Sequence, residues 1–391
     1  MDYIIIAKNP MITGQKLTLF ILYSADYELF LGGNNHNETE VLIEPTNALL
    51  NTFDDVAVPL TLFADVFSFL RYREQNLFDF PGEAENQLKD AIRRGHDVQS
   101  HVHPHWSFTS FQDNKFLFDT KYFLLGNLDE DKEKLYRLIL KYLVDSRIYL
   151  HELLTPVDSR YHCIAYRAGG YGLQPNSDIV IRALIDAGFI IDSSIVPNLV
   201  NTNHVNAIDF SIVPKTANYY LDSDLCSPSL TNRGIFEIPI ASCNLPVREV
   251  AWKKFQFLVK ECKNNIVDQP DSSKNKKITG YTIQSTEKLS GISRYSDLIK
   301  KSLNRFFILN CTTDDNIMFQ CTKRYLNQFD NRNNDVFFSC TMHPKEMTAA
   351  NFSALKKYHE TLKTYYGEDI QAISYQDAAE MLKKTGRPSH S

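Results

Sequence analysis

Apolar residues in this chain follow two rhythms. Leu17–Tyr23 and Pro59–Ala64 are short continuous runs of strand length, the pattern of strands buried on both faces of a parallel sheet. A short third strand is expected around Val98, and further ones at Cys163–Tyr166, Phe189–Ile191, Ile235–Ile240 and Val336–Cys340. Between them apolar positions recur at helical spacing. Pro45 to Phe53 reads as a helix, and so do Ala84, Leu88, Ala91 and Ile92, with Gly95 as the stop. Asp129 to Leu154 predicts a long helix rich in i,i+4 charge pairs. Ile179, Val180, Ala183, Leu184 and Ala187 predict another, capped by Asn176 or Ser177 and stopped by Gly188. Asn351 to Tyr366, and Ser374 to Lys384 with a Ser-x-x-Asp start, predict two more. Alternating strands and helices imply repeated βα units, hence an α/β fold around a mainly parallel sheet.

The rhythm breaks between residues 250 and 330. Lys263–Lys277 is rich in Asn, Lys and Ser, contains Pro270 and reads as an exposed loop. The expectation is one domain over 1–391 with an insertion or lid at 250–330. The chain has 391 residues, 43% hydrophobic and 12% aromatic, enough for a substantial core. A net charge of -5 gives no reason to expect a nucleic-acid partner. The 7 cysteines are scattered without a CxxC pair, which fits a reducing compartment and no cysteine-based zinc site. Met1–Lys8 has no basic segment leading into an apolar core, and no apolar stretch reaches the roughly 18 residues of a membrane span. A cytoplasmic protein without signal peptide or transmembrane segment is therefore expected.

Chemistry is concentrated in Gly95–Trp106. His96, His101, His103 and His105 fall within this segment, four of the chain's 11 histidines. Imidazole is the commonest metal-ligating side chain, and His101 and His105 stand four apart just after a strand. A His-rich surface loop is the alternative. His96 follows a helix stop, where the helix dipole alone favours histidine. Other unusual polar residues also fall at the C-terminal ends of expected strands: Asp26 and Glu28, Arg167, Asp192 and His343. That end of the strands is where βα barrels build their sites. His151, His162, His204, His359 and His390 have no such context, and Cys340 lies on an apolar strand that should bury it.

Five stretches, in order, resemble the polysaccharide deacetylase family, the NodB-like carbohydrate esterases of the family 4 type. They are Tyr23–Glu28, Gly95–Asp97 leading to His101–His105, Tyr166–Gly172, Ile191–Ser194 and Thr341–Pro344. The resemblance covers roughly Leu17–Ile240 and Val336–Leu382. It implies a distorted (β/α) barrel with an inserted lobe, and metal-dependent removal of an acyl group from an N-acetylated sugar or glycan. It further implies Glu28, His101 and His105 as ligands of a divalent metal, Zn²⁺ by preference. Asp26 would be the base, His343 the acid and Arg167 the partner that orients Asp26. Tyr171, His103 and Asp192 would contact substrate. The family's acidic motif commonly has two adjacent aspartates, whereas Tyr27 separates Asp26 from Glu28 here, so the base and ligand roles of this pair stay interchangeable. The aromatic residue that usually follows the fourth motif's aspartate is also missing, with Ile195 and Val196 in its place. Two other readings stand beside this one: a metal-dependent C–N hydrolase acting on a small amide or cyclic ureide, and a non-catalytic carbohydrate-binding relative.

Overall fold

The computed structural model describes residues 18–29, 37–113, 115–203, 205–229, 231, 233–246, 305–311, 313–329 and 335–384. The N-terminal segment, the loop expected at 263–277, most of the expected insertion, His204 and His390 lie outside them.

A nine-stranded sheet forms the frame. Its strands are β1 (Leu19–Tyr27), β2 (Thr61–Asp65), β3 (Asp97–Val102), β4 (Ala165–Ala168), β5 (Ile191–Asp192), β6 (Tyr219–Leu221), β7 (Ile235–Glu237), β8 (Val336–Met342) and β9 (Ile370–Ala372). The order is β6-β7-β5-β4-β3-β2-β1-β8, parallel except for the β6–β7 pair. β9 shares one edge of β1 with β2, pairing with Leu19–Ile21 while β2 pairs with Ser24–Tyr27. Past β7 the chain reaches β8: Ser339 N donates to Pro239 O at 2.9 Å and Ala241 N to Ser339 O at 3.0 Å. These bonds curl the sheet into a barrel. Towards the C-terminal end of β8, Leu309 takes over, accepting from Thr341 N at 3.0 Å and donating to Ala241 O at 2.7 Å. This wedge makes the barrel a distorted one.

Helices α1 (Glu44–Asp55), α2 (Val66–Glu74), α3 (Asp79–Arg93), α4 (Lys132–Leu154), α5 (Ser177–Asp186), α6 (Asp315–Asn327), α7 (Ala349–Tyr366) and α8 (Tyr375–Lys384) complete the described core. Local chemistry sets several ends. Gly95 and Gly188 stop α3 and α5 with φ of +83° each, a conformation that costs glycine little. The Ser374 and Asp377 pair caps α8 reciprocally, with Asp377 N donating to Ser374 Oγ and Ser374 N to Asp377 Oδ2, both at 3.0 Å. Asn176 holds the N-cap position of α5 in the left-handed region, but its side chain makes no cap bond and donates to Gly126 O instead.

Strand alternation divides the core in two. Leu19, Ile21, Tyr23, Ala25 and Tyr27 join the large layer between sheet and helices. Phe20, Leu22, Phe63, Ala165, Ile191, Phe236 and Phe337 form a separate inner cluster, which Tyr375, Ala378, Ala379 and Leu382 of α8 complete from the N-terminal end of the strands. The barrel is thus plugged with apolar side chains at its base, and its inward positions turn polar towards the C-terminal ends. β1, β4 and β8 all run further than their apolar residues suggest. Asp26 and Arg167, expected just after strands, are the last inward residues within them.

Candidate functional site

Arg167 organises the polar end of the barrel. It is fully buried, and its guanidinium lies over the Phe63 ring, 4.2 Å from the centroid. Nη1 donates to Asp26 Oδ1 at 2.7 Å and Thr341 Oγ1 at 3.2 Å. Nη2 donates to Ser339 Oγ at 3.0 Å, Ser193 Oγ at 3.1 Å and Tyr375 OH at 3.2 Å, and Nε to Ser193 O at 2.9 Å. Such a planar fork of donors is what a buried arginine needs to stay charged in a fixed place. Its ion pair with Asp26 spans β4 and β1. Burial alone would raise the Asp26 carboxyl, but Arg167, the hydrogen bond from His343 and the nearby His101 hold it well below the ordinary carboxylate range.

His343 follows β8 and sets Nε2 3.3 Å from Asp26 Oδ2 and 3.7 Å from Glu28 Oε1. Burial disfavours its charged form, but Asp26 and Glu28 outweigh this and raise its pKa. Glu28 is shared. Its Oε1 accepts from Lys345 Nζ at 2.8 Å, while Oε2 meets His103 Nε2 in a short contact and stands 3.3 Å from His101 Nε2. His101 Nδ1 donates to the Arg167 carbonyl at 2.8 Å, so Nδ1 carries a proton and Nε2 is the nitrogen facing Glu28; burial disfavours the charged ring, but Glu28 and Asp26 outweigh this and raise its pKa.

Glu28, His101 and His103 bring their ligand atoms within 4.8 Å of one another, the metal-competent group among the described residues. The sequence pointed to His105 in the place His103 takes. The cause is local. His103 keeps extended backbone at φ −110° and ψ 98°, so it faces the same way as His101, and the turn begun by Pro104 rotates His105 away. His105 is buried among Trp106, Phe118 and Phe123, with neither ring nitrogen hydrogen-bonded, and burial holds its pKa well below the ordinary value. Asp192 is also apart from the group. It is fully buried, accepts from Ser194 Oγ at 2.7 Å and is tied to Glu237, its register partner on β7. Tyr171, at φ 60°, is close enough to Asp26 for that carboxylate to add to burial in raising its hydroxyl pKa.

Two site residues escaped the sequence reading. Lys345 neutralises Glu28 from 317 positions away. Asp65 closes β2 opposite His101, and burial pushes its carboxyl up to about 6 against the pull of His103 and His101. Its signal was present: an aspartate ends the second apolar run much as Asp26 ends the first.

Gly169 leaves room for the group. A Cβ there would lie 2.6 Å from His103 Nδ1 and 2.6 Å from the Val102 carbonyl oxygen. The carbonyl belongs to β3 and cannot yield cheaply, so Gly169→Ala is expected to displace His103 and cost about 1–3 kcal/mol of stability through overpacking. Urea unfolding checks this, and an unchanged midpoint would show that the neighbours adjust freely.

No protein-family profile matches the chain, and no curated protein does either. Among solved structures, the chain is similar to a protein assigned as a polysaccharide deacetylase from Mycobacterium smegmatis, at 13% identity and a TM-score of 0.46, over 98% of this chain and 96% of the other. It is similar to PuuE allantoinase at 13% identity and a TM-score of 0.45, over 99% and 98% of the two chains. A 4-alpha-glucanotransferase from Thermococcus litoralis is similar at 10% identity and a TM-score of 0.42, over 93% of this chain and 40% of the other.

Proposed function

We propose that this protein is a metal-dependent hydrolase of C–N bonds that removes an N-acetyl group from a glycan or sugar precursor. The observation that carries the reading is the convergence of Glu28, His101 and His103 beside the Asp26–Arg167 pair and His343. A cation fits the group on two counts. His101 Nε2 and a Glu28 carboxylate oxygen face each other at 3.3 Å, two donor atoms that a positive ion between them would bind with the ring neutral. Among the described residues, His103 Nδ1 is buried without a hydrogen-bond partner, and no side chain donates to either buried Asp65 oxygen.

Two imidazoles and one carboxylate suit Zn²⁺ with an open position, and such an ion would polarise a carbonyl and ease the ionisation of water. The chain's own groups supply the rest. Asp26, kept ionised by Arg167, accepts a proton at Oδ2, and its Oδ1 is pinned so that the carboxylate cannot turn. His343, kept protonated by the same carboxylate, presents Nε2 to a leaving amine. Tyr171 lies near Asp26 and contributes a hydroxyl donor for a developing oxyanion.

Elemental analysis combined with an acetate-release screen tests this. Wild-type protein is expected to hold about one divalent ion and to release acetate from N-acetylated oligosaccharides. His101→Ala and His103→Ala should lose the ion, while His105→Ala should keep most of it. Full metal retention in His103→Ala together with loss in His105→Ala would return the ligand set to the one expected from sequence. Turnover of small amides without acetate release would move the substrate to the other C–N class. Absence of any bound or bindable metal would favour a non-catalytic sugar binder.

A further inference from the structure

We propose that Asp65 belongs to the same centre as a second carboxylate around the ion held by Glu28, His101 and His103. This rests on the metal reading above. The other charges pair off without it. Asp26 is taken by Arg167 at 2.7 Å and Glu28 by Lys345 at 2.8 Å. Asp65 is fully buried, no side chain among the described residues donates to either of its oxygens, and the cationic groups nearest it are the His103 and His101 rings.

The contrast with Asp97 shows what a structural aspartate looks like in this barrel. Asp97 opens β3 on the same inward face and is as well buried. Yet it accepts from Gln99 Nε2 at 2.8 Å, Thr61 Oγ1 at 3.3 Å and Gln376 N at 3.3 Å. Asp65 has no such side-chain donors. A buried carboxylate answered only by the His103 backbone and the His103 and His101 rings is costly, and a cation held by those same rings would offset that cost.

Its position agrees with this. Asp65 and Phe63 share the inward face of β2; Asp26 is the register partner of Phe63, and His101 that of Asp65. The carboxylate therefore stands between the strand bearing Asp26 and the strand bearing the histidines. It lies outside the tight Glu28–His101–His103 group, so it serves from an outer layer, balancing charge and orienting what the ion gathers. It is a positioning residue for the cation.

Zn²⁺ titration of the full-length protein against a competing chelator tests the assignment, with Co²⁺ absorption as a second readout of coordination. Asp65→Asn keeps the shape and removes the charge. It is expected to weaken Zn²⁺ binding by about 10–100-fold and to alter the Co²⁺ spectrum. The metal-free variant should melt at or above the wild-type temperature, because an unpaired buried charge has gone. Asp65→Ser carries the same expectations if the amide variant does not fold. Unchanged Zn²⁺ affinity with a lowered melting temperature would mark Asp65 as structural and overturn the proposal while leaving the metal centre standing. A wild-type protein that binds no Zn²⁺ would overturn both.

Discussion

Replacing Arg167 with leucine is expected to cost about 3–5 kcal/mol of stability, because it removes the buried guanidinium partner of the Asp26 carboxylate and leaves that charge paired with His343. Asp26 is 3% exposed and Arg167 0%, so water cannot stand in for the lost guanidinium. The pH dependence should flatten as well. In the wild type the Asp26 pKa is depressed by Arg167, so the pair's contribution is full above the unfolded value of about 3.9 and is lost as pH falls through the folded value. Without Arg167 the largest lowering influence is gone, while His343 and His101 remain. The folded pKa then rises toward the unfolded one, and the variant loses less stability than the wild type as pH falls through the acid range. Urea unfolding of both proteins across the acid-to-neutral range reads this directly. The double variant Arg167→Leu, Asp26→Asn should recover part of the loss, since it also removes the stranded charge. A single variant within about 0.5 kcal/mol of wild type would place it among ordinary surface changes and refute the organising role of Arg167.

How far the site can be read from sequence depends on how local its causes are. The strands carrying Asp26, Arg167 and His343 are legible because their apolar residues announce them, and parallel βα order then sets all three at one end of a barrel. The fold class follows from the same pattern. The ends of the strands were harder to place. On β1, Tyr23, Ala25 and Tyr27 face the helices while Ser24 and Asp26 face inward, so a run of apolar residues gives way to alternation before the strand stops. The His103 and His105 question turned on one backbone angle. A proline at 104 predicts a turn, but whether it rotates the residue before it or the one after is decided by β3 continuing extended through His103. Lys345 was invisible because its partner is Glu28, and no local pattern links a residue after the eighth strand to one after the first. Asp192 shows how alternation separates residues at strand ends: it ends a strand like the others, but β5 turns it towards Ser194 and Glu237.

Asp26→Asn and His343→Ala should each lower turnover by about 10²–10⁴-fold, the usual cost of removing a general base or acid. Both variants should keep the cation, since neither side chain is in the Glu28–His101–His103 group. The pH–rate profile separates this from a structural effect. Asp26 must be ionised, and its pKa is held far below neutrality, so the acid limb of the wild-type profile should be remote. His343 must be protonated, and its raised pKa sets the alkaline limb above the ordinary histidine value of about 6.5. The two limbs are linked, because the Asp26 carboxylate is what keeps His343 charged at 3.3 Å. Residual activity of Asp26→Asn should therefore show its alkaline limb at lower pH than wild type, as the imidazole loses its partner and burial takes over. His343→Ala should lose that limb. An alkaline limb unmoved in Asp26→Asn would mean that His343 does not titrate under the control of Asp26. The acid and base assignments would then have to be given to other groups, with Glu28 and Lys345 the next pair facing the same space.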